Sequence, residues 1–124
     1  MKKILIVEDV ELNLELLIQL LEDKYELVSA SDGMSGVAIA EQQKPNLILM
    51  DMSLPVMNGW TAVQEIKANP KLAMIPIIGL SAHAMNEERQ RALESGCDEY
   101  LTKPVDEDLL FKTIERFIKK EQDT

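Results

Sequence analysis

Leu47, Ile48, Leu49 and Met50 are four consecutive apolar residues with no polar alternation, and the run stops at Asp51. A strand with one wet face alternates apolar and polar residues. An unbroken run closed by the turn chemistry of Pro55, Asn58 and Gly59 reads instead as a strand covered on both faces, as in parallel sheets. A carboxylate at the carboxyl end of such a strand lies where open α/β sheets present their ligands. Asp51 is therefore the first functional candidate; the plain alternative is an Asp that merely starts a loop.

The rest of the chain repeats the pattern. Lys3 to Val7, KILIV, is a second short apolar strand and ends on the adjacent acids Glu8 and Asp9. Glu11 to Asp23 has an apolar excess without Pro or Gly and is expected to be helical. At about 100° per residue, Leu16, Leu17, Leu20 and Leu21 span an arc of about 140°, enough to cover one side of a sheet. Leu14 and Ile18 fall beside that arc, where they either widen the buried stripe or show an apolar edge to a partner. Leu27 to Ala30 is a strand, and Asp32-Gly33 opens a helix to about Gln43. Gly59 to Ala68 is a third helix, closed by Asn69-Pro70 because a residue before proline disfavours the α region. Ile77 to Leu80 is a strand ending at Ser81. Asn86 is placed to cap a fourth helix that Gly96 stops. That helix is thinly apolar, with Met85, Ala92 and Leu93 as anchors, and is expected to be among the more movable elements. Glu99 to Thr102 is a fifth strand, followed by Lys103-Pro104. Asp106 caps a last helix on which Leu110, Ile114 and Phe117 share a face flanked by Phe111 and Ile118. Strand and helix alternate five times with short connections, so a parallel sheet with helices on both faces is expected.

With 124 residues the chain suits one domain, spanning 1–124. Thirteen Lys and Arg against 22 Asp and Glu give a net charge of -9, which repels nucleic-acid backbones in the absence of a basic patch. Cys97 is the single cysteine, no signal peptide precedes Lys2, and no apolar run reaches the ~18 residues of a membrane span. A reduced cytoplasm is the expected home.

In a parallel sheet all carboxyl ends share one edge, so Glu8, Asp9, Asp51, Ser81 and Lys103 can converge. Carboxylates at ~4 Å repel by on the order of 4 kcal/mol per pair at an effective dielectric near 20, which a bound cation would relieve. Oxygen-rich, incomplete coordination suits Mg²⁺, and no Cys/His cluster supports zinc. An Asp in that setting can attack phosphorus and form an acyl phosphate. Asp51 is then the acceptor, Glu8 and Asp9 the metal's acids, and Lys103 and Ser81 the contacts of the phosphoryl oxygens.

The order VED, LILMDMSLPVMNG, IIGLSAHAM and GCDEYLTKP resembles the receiver domain of two-component response regulators, over essentially the whole chain. The resemblance implies a flavodoxin-like (βα)5 fold. It implies phosphorylation of Asp51 by a histidine kinase or histidine phosphotransfer protein, and a metal contact from the Ser53 backbone carbonyl. It further implies a switch in which Ser81 moves toward the phosphoryl group and Tyr100 rotates inward; the alternative for Tyr100 is a packed aromatic that never moves. A cis Lys103-Pro104 bond follows too, as do roles for Ser53 and His83 in setting phosphoryl lifetime, with His83 bordering the site and modulating water access.

No linker or DNA-binding segment follows the last helix, so the chain is expected to lack an effector domain and to signal by binding a downstream protein, as a monomer or a phosphorylation-linked dimer. Met85, Tyr100 and Phe111 are the expected contacts of that target, and Leu14 and Ile18 those of the phosphodonor. The resemblance is nearest to stand-alone regulators of the cell-division type; Met1 abutting the first strand favours a genuine start. A receiver module of a hybrid kinase and a non-phosphorylated pseudo-receiver are the alternatives. An aspartyl phosphatase would want a second Asp at Ser53, and a flavin-binding flavodoxin would want a hydroxyl-rich loop after Val7.

Overall fold

The computed structural model describes residues 1–52, 58–82 and 86–122, without the side chains of residues 88 and 120–122. The expected roles of Ser53, His83 and Met85 fall outside these residues. Five strands, β1 (Lys3–Val7), β2 (Glu26–Ala30), β3 (Leu47–Asp51), β4 (Ile77–Ser81) and β5 (Glu99–Thr102), alternate with α1 (Glu11–Leu21), α2 (Gly33–Gln43), α3 (Gly59–Ala68), α4 (Asn86–Ser95) and α5 (Glu107–Gln122). The strands form one parallel sheet in the order β2-β1-β3-β4-β5, which is the flavodoxin-like order.

Side chains of a strand point alternately to the two faces, and the core divides accordingly. Leu5, Val7, Ile48 and Met50 pack with Ala40, Ala62, Val63, Ile66 and Ala92 on the face covered by α2, α3 and α4. Ile4, Ile6, Leu47 and Leu49 pack with Leu17, Leu21, Leu110, Ile114 and Ile118 under α1 and α5. Leu47 to Met50 are wholly buried, as the unbroken run required. Crossovers of one hand account for this division: the chain leaves β1 toward β2, then returns past β1 to β3 and continues outward. The switch point lies between β1 and β3, and there the strand ends carry Glu8 and Asp51.

Two helical stripes differ from expectation. On α1 the core contacts are Leu17 and Leu21, with Leu14, Ile18 and Leu20 half-buried, while Leu16 is 52% exposed. Measured from Leu17, residues Leu21, Leu14 and Ile18 lie on one flank at about 40° to 100°, and Asn13, Leu20 and Leu16 on the other at similar angles. Spacing fixes those relative angles but leaves open which flank the sheet claims. On α5 the buried trio is Leu110, Ile114 and Ile118, and Phe117 is half-buried. Asp106 does cap α5, its Oδ1 accepting from the Leu109 N–H at 3.0 Å. Asn86 is the first residue of α4 rather than a residue preceding it. Gly96, with φ of +119°, ends α4 in a conformation that suits glycine.

Candidate active site at the carboxyl edge of the sheet

Register places the candidate residues. Val7 pairs with Met50, so the next residues along the two strands are Glu8 and Asp51; Ser81 pairs with Thr102, and Lys103 follows. Backbone hydrogen bonds extend the sheet to these positions: Glu8 N–H donates to Ala30 O at 3.0 Å, Met52 N–H to Leu80 O at 2.9 Å, and Lys103 N–H to Ser81 O at 2.7 Å. The Lys103–Pro104 peptide bond is cis. Gly59 brings the start of α3 onto the same edge, where a Cβ would stand 2.5 Å from Asp51 O; any larger residue would push α3 off β3.

Glu8, Asp51 and Ser81 are 2%, 4% and 2% exposed, whereas Asp9 is open to solvent. Lys103 Nζ donates to Glu8 Oε1 at 2.6 Å and to Asp51 Oδ2 at 3.3 Å. Glu8 Oε2 accepts from the Val10 N–H at 3.2 Å. Burial, and after it the adjacent Asp51 carboxyl, raise the pKa of Glu8 above the ordinary carboxylate range despite Lys103. Burial would lower Lys103, but its hydrogen bond to Glu8 and the charge of Asp51 prevail and raise it. An isolated ion pair would move its two members in opposite directions. Both rise here because burial acts first on Glu8, while two carboxylates around one ammonium act on Lys103.

Glu8, Asp9 and Asp51 each bring a carboxylate oxygen within 4.8 Å of the others. An all-oxygen set of three acids, one of them solvent-facing, fits a hard divalent cation that keeps part of its water. Sequence reasoning thus placed Glu8, Asp9, Asp51, Ser81 and Lys103 together, and the fold brings them together.

The family model for the response regulator receiver domain matches residues 4–115. The chain belongs to this family. As a receiver domain it is a signalling module of two-component systems. It is 34% identical over 118 residues to the polar-differentiation response regulator DivK of Brucella anthropi, covering 94% of this chain and 96% of that one. In structure it is similar to the receiver domain of the sensor histidine kinase PA1611 of Pseudomonas aeruginosa, solved with a magnesium ion in its active-site cleft. The TM-score there is 0.89 at 35% identity, over 95% of this chain and 98% of the other. It is also similar to a chain of the complex between the Saccharomyces cerevisiae histidine phosphotransfer protein Ypd1 and the receiver domain of Ssk1, with TM-score 0.90, 31% identity and coverages of 97% and 90%.

Four of the expected contact residues, Tyr100, Phe111, Leu14 and Ile18, lie deeper than an open surface contact. Tyr100 is 3% exposed and packs inward in the core under α2, α3 and α4, with only its rim lining the groove beside Arg89 and Arg116. Phe111 lies on the α1 side rather than the α4 side: half-buried, it packs against the core beneath α1 and α5, with Lys24 Nζ 4.6 Å from its ring centre. Leu14 and Ile18 pack against the same core. The apolar surface beside the site belongs to the other flank of α1. Leu16 and Leu20 line a groove of about 340 Å³ with Leu80, Pro104 and Val105, and Glu8 and Lys103 reach into it. Leu12, one turn earlier, is 65% exposed. The spacing of Leu12, Leu16 and Leu20 at successive fourth residues is the sequence signal that could have revealed this strip. No helix among the described residues is long and apolar enough to cross a membrane.

Proposed function

We propose that Asp51 accepts a phosphoryl group from a phosphohistidine of a histidine kinase or a histidine phosphotransfer protein. One observation carries the reading: the Asp51 carboxylate lies between the acids Glu8 and Asp9 on one side and the ammonium of Lys103, 3.3 Å away, on the other. In the transfer, an Asp51 carboxylate oxygen forms a bond to phosphorus while the bond from phosphorus to the histidine nitrogen breaks. The electron pair returns to the imidazole. Lys103 Nζ takes up charge on the phosphoryl oxygens, and Ser81, at the end of the neighbouring strand, donates its hydroxyl to one of them as the switch residue. Mg²⁺ held by Glu8, Asp9 and Asp51 would offset the negative charge of the incoming group.

The phosphodonor docks over the groove of Leu16, Leu20, Pro104 and Val105, since that apolar surface opens beside Lys103. The similarity to a receiver domain solved with its phosphotransfer protein supports a donor of this class. The downstream protein binds along the outer edge of β5, where Arg89, Tyr100, Leu109, Thr113 and Arg116 line a second groove. The similarity to the response regulator DivK over nearly the whole of both chains supports a regulator that acts through such a protein partner. Intact-protein mass after incubation with acetyl phosphate tests the proposal. One phosphoryl adduct should appear with Mg²⁺, fail to form when the metal is chelated beforehand, and be missing from Asp51→Asn. A full adduct in Asp51→Asn, or none in the native protein, would overturn it. Charged substitutions at Leu16 and Leu20 should slow transfer from the protein donor and spare acetyl phosphate labelling.

A further inference from the structure

We infer that Glu8 is a positioning residue that holds the Lys103 ammonium and surrenders it to an incoming divalent cation, so that cation and ammonium are alternative occupants of one carboxylate. The inference rests on the reading of the site given above. Lys103 is the group expected to meet phosphoryl oxygens on Asp51, yet its shorter contact is elsewhere: 2.6 Å to Glu8 Oε1 against 3.3 Å to Asp51 Oδ2. Glu8 is fixed in that role. Its other oxygen accepts from the Val10 N–H at 3.2 Å, and the residue is 2% exposed, so the carboxylate can neither turn away nor be solvated freely. The same carboxylate belongs to the cluster of acids whose oxygens lie within 4.8 Å of one another. A cation drawing on Glu8 therefore arrives against an ammonium already seated there.

Side-chain length makes the contact specific. An aspartate at this position would withdraw its carboxylate by about one C–C bond, turning a 2.6 Å contact into one beyond hydrogen-bond range while keeping the charge. Displaced from Glu8, Lys103 keeps Asp51 as a carboxylate neighbour among the described residues. Arrival of the cation thus delivers the lysine to the acceptor, and metal occupancy readies the site for the phosphoryl group.

The test is Mg²⁺ affinity by titration calorimetry on the unphosphorylated full chain, for the native protein, Lys103→Met, Glu8→Asp and the double variant. Lys103→Met should tighten Mg²⁺ about tenfold with Glu8 in place, and by no more than about twofold in the Glu8→Asp background, because contacting residues couple. Equal tightening in both backgrounds would overturn the inference: Lys103 would then repel the cation through the general field and not by occupying Glu8. Independently of the variants, the Lys103 side-chain ¹⁵N resonance of the native protein should shift with the same midpoint as metal binding; a resonance that stays in place would overturn it as well. Failure of the native protein to bind Mg²⁺ would remove the metal reading too, whereas binding with equal effects removes this inference alone.

Discussion

Helices α4 and α5 both flank the edge strand β5, and they are held by different physics. α5 buries Leu110, Ile114 and Ile118 in the core, is capped by Asp106, and buries Thr113 with its hydroxyl on Leu109 O at 2.7 Å. α4 buries Ala92 as its apolar anchor among the described residues, while Leu93 is 39% exposed. Its other ties are cationic: Arg89 to Glu99 at 3.1 Å and to Tyr100 O at 3.4 Å, and Arg91 stacked 4.5 Å from the Trp60 ring centre. Moving an apolar helix exposes its whole stripe. A helix tethered by exposed charges exchanges protein partners for water at little cost. An event at Asp51 therefore has an element it can displace, and that element borders both Tyr100 and the start of α3.

The largest expected effect lies on the α5 side. Ile114→Ala should lower the unfolding free energy by about 2–5 kcal/mol in urea denaturation, because it leaves a cavity in a closed core. A loss under about 1 kcal/mol would mean that α5 is no better anchored than α4.

Glu99 is the centre of the polar tethers, bridging Arg89 through one oxygen and Arg116 of α5, 3.0 Å away, through the other. Removing that charge with Glu99→Gln should cost about 0.2–1 kcal/mol, fade in high salt, and raise amide hydrogen exchange in α4 more than in α5. Burial opposes ionisation of Glu99, but the hydrogen bond from the Tyr100 N–H and the two arginines prevail and hold its pKa below the ordinary carboxylate value. With the folded pKa depressed, the unfolded chain binds the proton first as pH falls. The stabilisation is thus complete above the ordinary carboxylate range and is lost as pH drops through the folded pKa. Lower α4 protection in acid, taken relative to intrinsic amide exchange and missing in Glu99→Gln, would show this.

The smallest effect is a rate. Burial pushes the Cys97 thiol up to about 12, so at neutral pH it stays protonated and reacts only when the structure opens around it. Since Cys97 lies two residues past α4 and its N–H donates to Ala92 O, Glu99→Gln should speed its alkylation by about two- to fivefold, and Arg116→Ala should do less.

Much of this was legible in the sequence. Unbroken apolar runs gave the parallel sheet, and the residue ending each run gave Glu8, Asp51 and Ser81, because a strand end is a local feature. Lys103 was legible for the same reason. Helix faces were harder. The spacing of Leu14, Leu16, Leu17, Ile18, Leu20 and Leu21 fixes their angles to one another, yet the sheet decides whether Leu16 or Ile18 is left outside. Phe111 failed likewise, since an aromatic near a face edge packs where a neighbour such as Lys24 receives it. The pairing of Glu99 with Arg89 and Arg116 has no local signature, because charges ten and seventeen residues away meet only through the fold. Nor does that of Lys67, whose ammonium reaches Ala73 O, Ile75 O and Asp98 to tie the end of α3 to the starts of β4 and β5.

The central claim is that the phosphoryl group resides on Asp51. The most direct test labels the protein with acetyl phosphate and Mg²⁺, reduces the acyl phosphate with borohydride, and maps the product by peptide mass spectrometry. The account predicts conversion of Asp51 to homoserine in the labelled protein and at no other residue. Reduction at Glu8 or Asp9, or an adduct that resists borohydride and maps to Ser81 or His83, would contradict it.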